Sequence, residues 1–187
     1  MSFTEHGIVL VSIVVGLGLT DLLGNFRRLV HARERVRWDG LPLAWALVAL
    51  LLVVNYWWGL YLGATGIYEV ETAGAFVASM VLPVVLYLVC SSALPEMVPA
   101  EGVDLGETYF RQRRFFFGLL LAYYVVVSIH THIATDSWAW TPLDSMRAVF
   151  IAMLASLLVV RSRWYHWLAV LVAAGLLLVR LSMQGLD

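Results

Sequence analysis

Long apolar runs separated by short polar connections organise this chain. Residues 7–26 form the first run, with Asp21 as its one charge, and residues 41–68 and 72–95 carry none. Residues 115–135 contain no Asp, Glu or Arg, only His130 and His132. Two shorter runs follow, 148–160 between Arg147 and Arg161 and 164–179 between Arg163 and Arg180. A spanning helix needs roughly 20 mostly apolar residues. Shorter runs still cross when flanking arginines extend to the interfaces. The pattern predicts an all-α polytopic membrane protein, a single bundle of six transmembrane helices near 7–36, 41–63, 74–95, 106–134, 146–161 and 164–183.

The charges give an independent count. Cytoplasmic connections are enriched in Lys and Arg. The first connection holds Arg27, Arg28, Arg33, Arg35 and Arg37, the third Arg111, Arg113 and Arg114, and the fifth Arg161 and Arg163. The second has Glu69 and Glu71, and the fourth Asp136 and Asp144 with Arg147 at its edge. Ten arginines thus fall on one side and two, Arg147 and Arg180, on the other. A missed or invented span would destroy this alternation. It predicts both termini outside. Aromatic clusters at Tyr56, Trp57, Trp58 and Tyr61, at Trp138 and Trp140, and at Trp164, Tyr165 and Trp167 fall at the expected membrane borders.

Composition narrows the function. The 187 residues are 61% hydrophobic and 13% charged, with mean hydropathy +0.84. A soluble domain carries about a quarter charged residues. A soluble enzyme, a nucleic-acid binder and a disordered tail are therefore not expected. The net charge of −1 gives no long-range field. All 12 basic residues are Arg, which removes retinal, pyridoxal and P-loop lysine chemistry. With Cys90 alone there is no disulfide, redox pair or cysteine zinc site. HExxH, GxSxG and paired aspartates within a span are absent. No enzyme activity and no resident cofactor are expected.

Local signals refine the bundle. No positive region precedes the first run, so a cleavable signal is not expected. Helix 1 is expected to continue to Val36, reaching about 15 Å beyond the membrane at 1.5 Å per residue. Asp39 and Gly40 then break it, and Pro42 suits the first turn of helix 2. The basic extension is expected to rest on anionic headgroups of the lipid bilayer; a partner docking site is the alternative. Ser12, Gly16, Thr20 and Gly24 form a small-residue face, expected to pack within the bundle, with self-association into a homo-oligomer as the alternative. Pro83 should kink helix 3. Asp104 followed by Glu107 resembles a helix cap.

The segments SIVVGLGLTDLLGNFRRLVHARERVR, NYWWGLYL and YFRQRRFFFGLL resemble a group of small bacterial multi-pass integral membrane proteins with no assigned role. The likeness covers about the first two thirds of the chain and is one of texture. It implies a bacterial inner (cytoplasmic) membrane protein and transfers no catalytic residue.

Charges in hydrocarbon are functional candidates by default. Asp21 lies about 10 Å from the inner boundary, and Asn55 about 20 Å above it. Ser128, His130, Arg147 and Arg180 reach a similar outer level, with His6 and His132 at the outer surface. Arg147, Arg180, His130 and His6 are candidates to converge on an anion, with Glu5, Asp136 and Asp144 balancing them. Asp144 and Arg147 sit on one helical turn and should pair. A structural role for this layer is the competing reading. His130 and His132 point about 200° apart on a regular helix and cannot ligate one ion. Haem clamped by His6 with His130 or His132, or by His31 with His166, is a weaker idea. Asp21 is read as a proton relay or as a hydrogen-bond partner of Asn25 or of a neighbouring helix.

The leading expectation is a small channel or carrier for an ion or small anionic solute. Its candidate pathway is Asp21, Asn55, His130, Arg147 and Arg180. The alternative is a non-catalytic scaffold or regulatory subunit that binds a membrane partner through Arg27, Arg28, Arg33, Arg35 and Arg37. A haem b-type electron carrier is third.

Overall fold

The structure is a computed structural model, and it describes residues 3–61, 73–134 and 139–183. Six helices carry the fold: α1 (Phe3–His31), α2 (Gly40–Tyr61), α3 (Ala73–Ser92), α4 (Leu105–Ala134), α5 (Pro142–Leu157) and α6 (Arg163–Met183). Four of them are long and apolar enough to cross a membrane, over Gly7–His31, Gly40–Leu60, Leu105–Ile133 and Arg163–Ser182. The sixth helix thus reaches full length, where its apolar run is only 164–179. In α3 the described apolar stretch is the shorter Phe76–Ser92. The 16 residues of α5 make a rod of about 24 Å.

Lateral packing centres on α2, which touches α1, α3, α4 and α6. Over half of its apolar window is buried. Trp45 is its largest buried side chain, set edge-on against Phe117 at 4.8 Å and Phe116 at 6.0 Å between ring centres. Such pairs add about 0.5–1.5 kcal/mol beyond burial. Elsewhere α1 lies mainly on α3, α4 on α3 and α5, and α6 on α2. These outer helices leave Leu17, Val77, Val149 and Leu171 exposed. That much apolar surface suits lipid, not water.

Three local expectations change. The first helix ends at His31, not at residue 36. A 3₁₀ turn (Arg33–Arg35) follows, then β1 (Val36–Arg37). This strand pairs in parallel with β2 (Val103–Asp104), Val36 opposite Val103 and Arg37 opposite Asp104. Burial of Val36 turns the extension back onto the bundle. Gly102 permits the pairing, since at φ 95° a Cβ there would meet the Arg35 carbonyl oxygen at 2.6 Å.

The small-residue face also differs. Gly16 has open space around it, and the Ser12 and Thr20 hydroxyls bond back to the Ile8 and Gly16 carbonyls. Gly18 is the close-contact glycine instead: a Cβ there would lie 3.1 Å from Tyr87 Cα. The α1–α3 seam therefore follows Val11, Val15, Gly18, Leu22 and Asn25. Third, α5 starts four residues before the expected 146. Thr141 caps it with a reciprocal bond to Asp144, and Pro142 occupies the first turn. Pro83 sits inside α3, which is assigned as one continuous helix.

Candidate functional site

The densest polar structure lies at the arginine-rich end. Two helix ends are tied there by side chains from other helices, and two helix starts are capped by the aspartate just before them. Helix termini leave backbone groups without intrahelical partners, and in lipid each needs one. Asn25 of α1, 1% exposed, donates through Nδ2 to the Ser91 and Leu94 carbonyls at 3.3 Å, closing the end of α3. The Oδ1 of the same side chain accepts from the Arg28 guanidinium. Arg113 of α4, 4% exposed, donates to the Leu158 and Val159 carbonyls at 3.3 and 3.4 Å, just past α5. A cation at a helix C-terminus also meets the negative end of its dipole.

The starts of the even-numbered helices meet at Asp39. Its Oδ1 accepts from the Leu41 amide at 2.9 Å, capping α2. Arg163, which opens α6, grips both oxygens of the same carboxylate. At the start of α4, Asp104 accepts from the Glu107 amide at 2.9 Å, as its spacing predicted. That bond, with Arg37 beside it at 3.2 Å, holds the Asp104 carboxyl below the usual range against partial desolvation.

Between these clamps sits His166, fully buried. Its Nδ1 lies 2.6 Å from the Tyr109 hydroxyl and its Nε2 3.0 Å from the Val160 carbonyl. The carbonyl can only accept, so Nε2 carries the proton and the tyrosine donates to Nδ1. Phe110 and Phe117 flank the ring. Both nitrogens are thus engaged, and His166 is not placed to bind haem iron with His31. The indole N–H of Trp45 adjoins the Tyr109 oxygen without hydrogen-bond geometry.

Six further arginines at this end have a different setting. Arg27, Arg33, Arg35, Arg111, Arg114 and Arg161 are exposed, and no carboxylate pairs with them among the described residues. Arg28, Arg37, Arg113 and Arg163 are the ones engaged within the bundle. The expected basic set Arg27, Arg28, Arg33, Arg35 and Arg37 is exposed throughout and divides by partner: Arg28 bonds Asn25 and Arg37 pairs with Asp104, while the other three have no carboxylate among the described residues.

The pathway candidates do not gather at one point. Asp21 lies beside Tyr87 of α3, and Asn25 is turned to the end of α3. Asn55 is 4% exposed, and its Nδ2 has no partner among the described residues. Arg147 pairs with Asp144 at 3.4 Å, as its spacing predicted, and His132 Nε2 reaches the same oxygen at 3.4 Å. Asp144 thus neutralises the cation meant for an anion. Arg180 is exposed beside Tyr123 and Tyr124. His130 is half-buried in α4. The side chain of His6, together with Glu5, Glu69, Glu71, Asp136 and Trp138, lies outside the described residues.

Asp39, Tyr109, Arg113 and His166 were missed as a group by sequence reasoning. A capping aspartate before Pro42 was the one available signal; the others act across helices. The chain matches no family model, no curated protein and no solved structure.

Proposed function

We propose that this chain is a non-catalytic docking platform of a bacterial cytoplasmic membrane. It crosses six times, with both termini outside and its arginine-rich end in the cytosol. There it presents guanidinium groups to an acidic segment of a membrane-associated partner. The observation that carries this reading is the division among the arginines. Four are engaged by groups of the chain itself, one of them buried, and six are exposed without a carboxylate among the described residues. Guanidinium groups pair bidentately with carboxylates and phosphates. The fixed helix ends behind them supply a rigid mount.

The test is cross-linking and co-purification from native membranes. Replacing Arg27, Arg33 and Arg35 by Gln should abolish recovery of the partner while leaving expression and thermal stability unchanged. Undiminished recovery would refute the platform.

A transport path is the second reading, favoured by the buried, unpartnered amide of Asn55. It calls for a solvated route through α2 toward Asp21. None of the cavities beside Arg27–Arg35, between α5 and α6, and between α3 and α4 is lined by Asn55, though the last reaches Tyr87 next to Asp21. Ion flux in proteoliposomes that is lost in Asn55→Leu would restore this reading.

A further inference from the structure

We propose that the groove between α3 and α4 is a binding site for one anionic glycerophospholipid, with its phosphate on Arg111 and Arg114. This rests on the reading that the arginine-rich end lies at headgroup depth. It does not rest on a protein partner.

The groove has a volume of ≈ 900 Å³, within the ~300–1,000 Å³ range of small-molecule sites. Its lining combines two chemistries. Leu88 of α3, Leu94 just past it and Phe115 of α4 are apolar, and Arg111 and Arg114 of α4 are cationic. Three residues apart on α4, the two guanidinium groups share one helix face. Glu96, from the segment after α3, also lines the groove. It makes no ion pair with either arginine among the described residues. Two cations against one carboxylate leave a net positive site. Phe115 is 61% exposed, a cost in water that an acyl chain removes.

Two other cavities among the described residues lack this combination. The one between α5 and α6 is ≈ 360 Å³ and lined by Met146, Val149, Met153 and Val172, with no charged group. The one beside Arg33 and Arg35 has Val30 and Ala32 as its only apolar lining. A ligand carrying one phosphate and two hydrocarbon chains matches both the cationic and the apolar lining of the α3–α4 groove. Phosphate on a guanidinium pair is a charge-assisted, bidentate contact. Near the membrane surface each added positive side chain strengthens attraction to anionic lipid.

The test uses the full chain, purified and delipidated in neutral detergent. Native mass spectrometry follows binding of phosphatidylglycerol, phosphatidylcholine and inorganic phosphate. One phosphatidylglycerol should bind at least tenfold more tightly than phosphatidylcholine, and phosphate alone should not compete. Arg111→Gln with Arg114→Gln should abolish that preference. Arg33→Gln with Arg35→Gln, which removes the same charge outside the groove, should keep it. Leu88→Trp, which fills part of the groove from α3, should weaken binding with both arginines intact. Equal loss from the two arginine pairs would overturn the site in favour of diffuse surface charge. Equal binding of the two lipids, or full competition by phosphate, would overturn it as well. These outcomes are separate from partner recovery, which the Arg27, Arg33 and Arg35 variant reports.

Discussion

Arg163 grips both carboxylate oxygens of Asp39, at 2.8 Å to Oδ1 and 2.7 Å to Oδ2, across 124 residues of sequence. The pair joins the starts of α6 and α2. Gly106 brings α4 to the same point, since a Cβ there would lie 2.5 Å from Asp39 Oδ2. The arginine side chain is 56% exposed, and exposed pairs contribute about 0.2–1 kcal/mol. Close fit therefore matters more here than charge. Gly106→Ala should cost about 1–3 kcal/mol through overpacking, and Arg163→Gln less than about 1 kcal/mol. Unfolding in detergent, followed by tryptophan fluorescence, should give that order; the reverse order would assign the junction to the ion pair.

Tyr109 is the sole proton donor to His166 Nδ1 among the described contacts. Tyr109→Phe keeps the ring and strands a buried acceptor, which costs about 1–3 kcal/mol. Replacing His166 by Leu as well removes the stranded Nδ1 but also the donor to the Val160 carbonyl, so the double variant should lose less than the sum of the two single losses. Strictly additive costs in this double-variant cycle would show that the two side chains are not coupled.

The α1–α3 seam separates two glycines that look alike in sequence. Gly18→Leu should cost about 1–3 kcal/mol or more by forcing α1 off Tyr87. Gly16→Leu, with open space around it, should stay within about ±0.5 kcal/mol. Thermal midpoints of the two variants decide it. A larger loss at Gly16 would place the helix seam on the Ser12–Gly24 face.

Asp104 makes stability depend on pH. Its carboxyl is held down in the folded protein, chiefly by the Glu107 amide and then by Arg37. The folded state thus favours the charged form. The contribution is fully present above the unfolded value, about 3.9, and disappears as pH falls through the lower folded value. Unfolding midpoints measured from about pH 6 down through that window should fall, and Asp104→Asn should flatten the fall. An unchanged acid limb in the variant would exclude Asp104 as its source.

Much of the architecture was legible because membrane helices follow from length and charge alone. Long apolar runs located the helices, and the Asp104–Glu107 and Asp144–Arg147 spacings located a cap and a pair that the structure contains. Rotation of each helix was not legible. A helix apolar all round has no polar stripe to mark its outer face, so Gly16 and Gly18 were indistinguishable until α3 was in place. The end of α1 was misjudged for a related reason. Phe26 to Val36 has no helix breaker, yet burial of Val36 against β2 outweighs local preference. Asn25 reaches 66 residues along the chain to Ser91, and Arg113 reaches 45 to Leu158. Such contacts have no local signature.

Sidedness is the claim on which the rest depends. Cys90 is buried and is the single cysteine, so a Cys90→Ala background accepts single reporters. Arg33→Cys, Arg114→Cys, Arg161→Cys and Trp140→Cys, each probed with a membrane-impermeant maleimide, report both ends of the bundle. In intact cells only the Trp140→Cys protein should be labelled, and the other three should react only after permeabilisation. Labelling of any of those three from outside, at the rate seen for Trp140→Cys, would contradict a cytosolic arginine-rich end.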